Sequence, residues 1–214
     1  MTKRFGWLCI FVLCLATAVR AGQVVVSTKP LRIVLLVDSS SEVGALINPF
    51  RAGLKAFLEG APEDAEIALI TTGGQIRIRQ QPTGDHDKLL KAMSNFAPDG
   101  GANAFLDTLL ESDQRFLKKA PDRLPVFVIL TTDNGAGRGE PRIDDYNRFM
   151  NDFLQRRGQA YAIVVHTGGG GMSSTSDIIN NLTGNTRGTY ESINSANAVP
   201  DKMKAIAARL AALP

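Results

Sequence analysis

The chain has 214 residues, 44% of them hydrophobic and 21% charged, which suits one globular domain and excludes a disordered or fibrous protein. Its formal net charge of +3 rests on Lys3, Arg4 and Arg20, all within the first 21 residues. Without that segment, 21 basic residues face 21 acidic ones, a balance that argues against nucleic-acid binding and against a polybasic membrane surface.

The opening segment has the anatomy of a secretory leader. Lys3 and Arg4 make a basic start, Trp7 to Ala18 is almost wholly apolar, and Val19-Arg20-Ala21 places Val and Ala at the −3 and −1 positions of a cut. A neighbouring cut after Ala18 has Ala16 in the equivalent place. The apolar run is short for a membrane span. The expected product is exported, periplasmic or extracellular, with no transmembrane segment in the mature chain; an uncut leader would act as an anchor. Cys9 and Cys14 both fall inside the leader, so the mature domain has neither disulfide nor thiol ligand. Residues 1–21 are thus assigned to the leader, 22–30 to an N-terminal extension and 31–214 to the folded domain.

Leu31 to Val37 is a short continuous apolar run ending in Asp38, the pattern of a strand buried on both faces. Val43 to Leu58 has helical apolar spacing, with Pro49 starting or kinking the regular helix and Gly60-Ala61-Pro62 ending it. Glu66 to Ile70 predicts a second strand, and the alternation of Gln75 to Arg79 predicts a half-exposed edge strand guarded by Arg77 and Arg79. Thr83 to Phe96 predicts a helix capped near Asp85, and Asn103 to Lys118 another. Strands follow at Pro125–Leu130 and Ala160–Val165, separated by a helix over Asp144–Arg157. A short helix at Asp177–Leu182, a strand at Gly188–Ile193 and an amphipathic helix at Val199–Leu213 complete the chain.

Buried strands alternating with helices predict an α/β, Rossmann-like three-layer sandwich. Its central sheet is mostly parallel with one antiparallel edge strand, and helices cover both faces. In such sheets ligands bind beyond the carboxyl ends of the strands. Three segments converge there: Asp38-Ser39-Ser40-Ser41-Glu42, Asp99-Gly100-Gly101-Ala102-Asn103 and Thr132-Asp133-Asn134-Gly135.

Here the chain resembles the von Willebrand factor A family, from about Leu31 to Leu213. The resemblance is carried by Val34-Leu35-Leu36-Val37-Asp38-Ser39-Ser40-Ser41, by Gly100-Gly101-Ala102-Asn103-Ala104-Phe105-Leu106-Asp107 and by Val128-Ile129-Leu130-Thr131-Thr132-Asp133. It implies a partner-binding domain without catalysis. It also implies a metal-ion-dependent adhesion site with Asp-x-Ser-x-Ser on the first loop, Thr on the second and Asp on the third. Such a site suits magnesium or manganese, which take oxygen ligands. Carried over, Asp38, Ser40 and Asp133 match, while Glu42 stands in a Ser position and Ala102 in the Thr position. Glu42 and Asn103 are the further oxygen donors. The bland account of the same residues is that Asp38, Ser40 and Ser41 satisfy N–H groups at the start of the first helix.

The partner is expected to be a protein or another surface ligand, met by a rim of Ser41, Asn134, His166 and Gly168. The alternative is a metal-dependent hydrolase built on Asp38 and Asp133, which would need two metals or a poised base. Of the two histidines, His86 lies away from the strand ends, whereas His166 follows a strand and points to the functional face. With no partner evident for it, a rim-lining role is favoured over catalysis. There is no Gly-x-Ser-x-Gly elbow, and Gly168 to Gly171 lacks the Lys-Ser or Lys-Thr of a phosphate loop, so a mobile binding loop is expected there.

Overall fold

The computed structural model describes residues 29–133, 142–167 and 174–213. The expected leader, with Cys9 and Cys14, lies outside the described residues, as do Asn134 and Gly168 of the expected rim.

Leu31–Val37 forms β1, buried along nearly its whole length because both of its faces are covered by helices. Alternate side chains divide between two cores: Ile33, Leu35 and Val37 enter one, Val34 and Leu36 the other. The first core is closed by α1 (Ile47–Gly60), α2 (His86–Ser94) and α6 (Val199–Ala211), through Phe50, Leu54, Phe57, Leu89, Met93, Met203 and Ile206. The second is closed by α3 (Phe105–Ser112), α4 (Ile143–Gln155) and α5 (Ser174–Asn185). Phe149 and Phe153 of α4 pack on Phe127, with ring centroids 6.1 and 5.5 Å from it.

The remaining strands are β2 (Glu66–Thr71), β3 (Arg77–Thr83), β4 (Leu124–Thr132), β5 (Gln159–Val165) and β6 (Thr189–Ile193). They lie in the order β3-β2-β1-β4-β5-β6, with only the β2–β3 pair antiparallel. Strand order reverses between β1 and β4, so the crevice where such sheets take ligands opens between Asp38 and Asp133. The three-layer sandwich and its antiparallel edge are as the sequence predicts.

Local differences have physical reasons. Ser41–Leu46 is a 3₁₀ helix, and α1 begins only at Ile47, so Pro49 falls in its first turn, where its missing N–H costs nothing. The edge strand runs on to Thr83 rather than ending at Arg79, with register shifts beside Gln80 and with Pro82 tolerated on an unpaired edge. The following helix therefore starts at His86, capped as expected by Asp85, whose Oδ1 accepts from Lys88 N at 3.1 Å. The helix expected to reach Lys118 gives way after Ser112 to a π turn over Asp113–Leu117. That turn holds Asp113 in the interior, where Arg156 Nη2 donates to both carboxylate oxygens at 2.7 and 2.9 Å.

Candidate functional site

The strand-end aspartate Asp38 is buried, with 1% of its surface exposed, and its carboxylate is heavily used. Oδ1 accepts from Ser40 N at 2.8 Å. Oδ2 accepts from Thr132 Oγ1, Thr132 N and Thr131 Oγ1 at 2.8, 3.2 and 3.3 Å. Asn103 extends this network: its Nδ2 donates to Thr131 Oγ1 at 3.0 Å, and its Oδ1 accepts from Thr72 Oγ1 at 2.6 Å. Four segments (the ends of β1 and β4, the turn after β2 and the loop before α3) are thereby tied by buried side chains. Such a network is rigid when every member is satisfied.

Beside it, Ser39 Oγ accepts from Gly73 N at 2.9 Å and donates to Asp99 Oδ2 at 2.8 Å. A side chain at position 73 would collide, since an added Cβ would lie 2.3 Å from Ser39 O. Asp99 is held further by Thr71 Oγ1 at 2.9 Å and by Arg79 and Arg77 at 2.5 and 3.2 Å. The two arginines expected merely to guard an edge thus anchor the second loop. Burial pushes the Asp99 carboxyl up, but the Ser39 and Thr71 hydroxyls and Arg79 outweigh it and hold it below the ordinary value. Gly100 and Gly101, at φ +77° and +73°, then turn the loop so that the Gly101 carbonyl accepts from Ser41 N and Oγ at 3.2 and 3.4 Å.

Across the crevice the arrangement differs. Asp133 sends its carboxylate towards β5, not towards Asp38. Oδ1 accepts from Thr167 N and Oγ1 at 2.9 and 3.0 Å, and Oδ2 faces His166 Nδ1 at 2.7 Å. The far ring nitrogen, His166 Nε2, is hydrogen-bonded to Ser192 Oγ on β6. Register explains the meeting: Val164 pairs with Ser192 and Val165 with Ile193, and His166 N continues the ladder to Ile193 O at 2.8 Å. Burial pushes the Asp133 carboxyl up, but the His166 ring and the Thr167 N–H and hydroxyl outweigh it and keep it below the ordinary value.

Among the described residues of the expected site, Asp38, Ser40, Ser41 and Asn103 come together, while Asp133 and His166 pair with each other. Glu42 is exposed in the first turn of the 3₁₀ helix. Ser40 Oγ is buried and accepts or donates no hydrogen bond, so the N–H capping at this turn falls to Asp38. Thr72, Thr167 and Ser192 are neighbours of the site that the sequence did not single out, and Thr131 and Thr132 entered only as part of a strand-end segment. Hydroxyls at the carboxyl ends of buried strands were the available signal, but pairing them requires the strand register.

The described donors match only in part the set that an octahedral divalent cation takes. Ser40 Oγ is buried without a hydrogen bond and Asp38 Oδ1 accepts only one, but Ala102 supplies no side-chain oxygen and the Asp133 carboxylate is turned to His166 and Thr167. No group of three or more His, Cys, Asp or Glu able to hold a metal occurs among the described residues.

No family model and no curated protein matches the sequence. Solved structures do match. A von Willebrand factor type A protein from Catenulispora acidiphila is 14% identical with a TM-score of 0.69, covering 86% of this chain and 43% of its own. BatB from Bacteroides thetaiotaomicron is 9% identical with a TM-score of 0.62, over 85% of this chain and 98% of its own. Proximal thread matrix protein 1 from the mussel byssus, solved with a zinc-occupied MIDAS motif, is 14% identical with a TM-score of 0.62. It covers 83% of this chain, which spans 47% of its length. The chain has the fold of von Willebrand factor A domains.

Proposed function

We propose that the protein is an exported binding domain that recognises a protein or other surface ligand through the loops beyond β1, β4 and β5, without a resident cation. The observation that carries this reading is the buried Asp38–Thr131–Asn103–Thr72 network beneath the exposed Ser41 and Glu42. It ties the segment after β1 to the turn after β2, the loop before α3 and the end of β4, and a surface ordered in advance loses less entropy on binding. No helix among the described residues is long and apolar enough to cross a membrane. The leader over residues 1–21 makes export part of the same proposal. Nothing in the donor geometry favours the metal-dependent hydrolase built on Asp38 and Asp133.

Calorimetric titration of the full chain with magnesium and then manganese, beside Asp38→Ala, tests the metal-free part. No saturable heat is expected. Saturable binding lost in the variant would overturn it, and would mean that Glu42 and its neighbours complete the shell and that the partner brings a carboxylate. For recognition, a partner held by the wild type and by Arg187→Glu, an exposed change remote from these loops, should be lost from Ser41→Arg. Equal retention by all three would sink the assignment to this face. The N-terminal residue of the protein recovered from its producing cell reports export: Gly22 or Val19 supports a cut leader, and an intact start contradicts it.

A further inference from the structure

The sequence left His166 without a partner, and the fold gives it two. Asp133, with 4% of its side chain exposed, faces Nδ1 at 2.7 Å, and Ser192, which is exposed, is hydrogen-bonded to Nε2. A carboxylate only accepts, so the neutral ring carries its proton on Nδ1, and Nε2 of that form accepts from the Ser192 hydroxyl. The second carboxylate oxygen is fixed by two donors from Thr167, and the His166 backbone is fixed by its bond to Ile193 O. The order from buried acid through half-exposed base to exposed hydroxyl is what general-base activation of a serine requires.

We propose that Ser192 is a base-activated nucleophile that takes the acyl group of a carboxylic ester presented at the rim, with His166 as the proton carrier and Asp133 as the residue that positions it. Ser192 Oγ bonds to the ester carbonyl carbon while its proton passes to His166 Nε2. The alkoxide then leaves with that proton. Water repeats the sequence on the acyl-serine, releasing the acid and restoring the hydroxyl. No metal enters, in keeping with an Asp133 carboxylate already committed to His166 and Thr167. Because Ser192 is exposed, the ester is one displayed on a surface or free in solution. The relay supplies base assistance alone, about 10²–10⁴-fold over an unassisted serine. This activity is independent of partner recognition, so either can fail without the other.

A fluorophosphonate reagent tests it directly on the full chain: Ser192 Oγ bonds to phosphorus, fluoride departs and the proton goes through His166 to solvent. The expected result is one adduct, located by mass spectrometry on the peptide carrying Ser192. Ser192→Ala abolishes it, and Ser195→Ala, three residues away and exposed, leaves it unchanged. His166→Gln lowers the labelling rate by about 100-fold or more. Asp133→Asn lowers it on a similar scale with the imidazole still present, because an amide facing Nδ1 moves the ring proton to Nε2; a role as a mere clamp would not produce this. Should either variant unfold by circular dichroism, the other and Ser192→Ala still decide. An absent adduct, equal labelling of exposed Ser41 and Ser195, or a rate indifferent to both His166→Gln and Asp133→Asn overturns the proposal.

Discussion

The two sides of the crevice are built from similar residues and behave differently. Around the ends of β1, β2 and β4, an aspartate, three threonine hydroxyls and an asparagine close on one another: Asp38 takes four hydrogen bonds, and Asn103 is buried. On the β5–β6 side, Asp133, His166 and Ser192 form an open line whose last member reaches solvent. A polar network closed on itself, apart from Ser40 Oγ, spends its bonds mainly on its own members and serves the architecture. One that ends in an exposed hydroxyl keeps its last valence for chemistry. The same strand-end aspartate can therefore be scaffold at one position and reagent support at another, according to which neighbours the register delivers.

Breaking each side in turn should show this asymmetry in stability. Asp38→Ala leaves two backbone N–H groups and two threonine hydroxyls in the interior without their acceptor, and is expected to cost about 3 kcal/mol or more. Asp133→Ala loses an acceptor whose donors stand nearer to water, and should cost about 1 kcal/mol. Urea denaturation of both variants measures the difference. Equal losses would mean that the two sides share one function and that the division drawn here is false.

Much of this frame was legible beforehand. Apolar runs such as Val126 to Leu130 announce a doubly covered strand, and the order of runs and helices announces the sheet. The Asp38 and Asp133 positions followed from the ends of those runs. What stayed hidden depends on register and on side-chain direction. Nothing in the sequence says that Val165 pairs with Ile193, and without that pairing Ser192 is one exposed serine among several. Nor does composition reveal that Asp133 turns from Asp38 to Thr167, or that Arg79 reaches Asp99 across the sheet edge. The π turn at Asp113 was likewise invisible, because apolar spacing continues through it while the backbone widens.

Acid offers a finer comparison. Asp99 and Asp133, one on each side of the crevice, are both held below the ordinary value of 3.8. Each takes up protons more readily when unfolded, so its contribution is complete above about pH 4 and is lost as pH falls through its folded value. Asp113, at the other end of the sheet, has the opposite sign. Burial there outweighs Arg156 and raises the carboxyl, so protonation favours the folded chain and offsets part of the loss. Stability measured between pH 5 and 2 should therefore fall, and fall less steeply in Asp99→Asn and in Asp133→Asn. A slope unchanged in both variants would remove the basis for treating these carboxylates as the charged supports of the two sides.

Ser40→Ala carries the smallest change in energy and the sharpest distinction. Ser40 Oγ is buried within the closed network yet makes no hydrogen bond, an arrangement that costs the free hydroxyl its solvation without return. If that atom is only a leftover of the fold, replacing the hydroxyl with hydrogen should raise stability slightly, by up to about 1 kcal/mol, since the cavity left is a single oxygen in size. Added magnesium should change neither protein. If the atom instead waits for a cation, the wild type should gain thermal stability with magnesium, by ligand binding to the folded state alone, and Ser40→Ala should gain none. Paired melting curves, each with and without the metal, give opposite signs for the two cases. A magnesium-dependent gain confined to the wild type would place a ligand position in the side assigned here to architecture, and the contrast across the crevice would then be one of two chemistries.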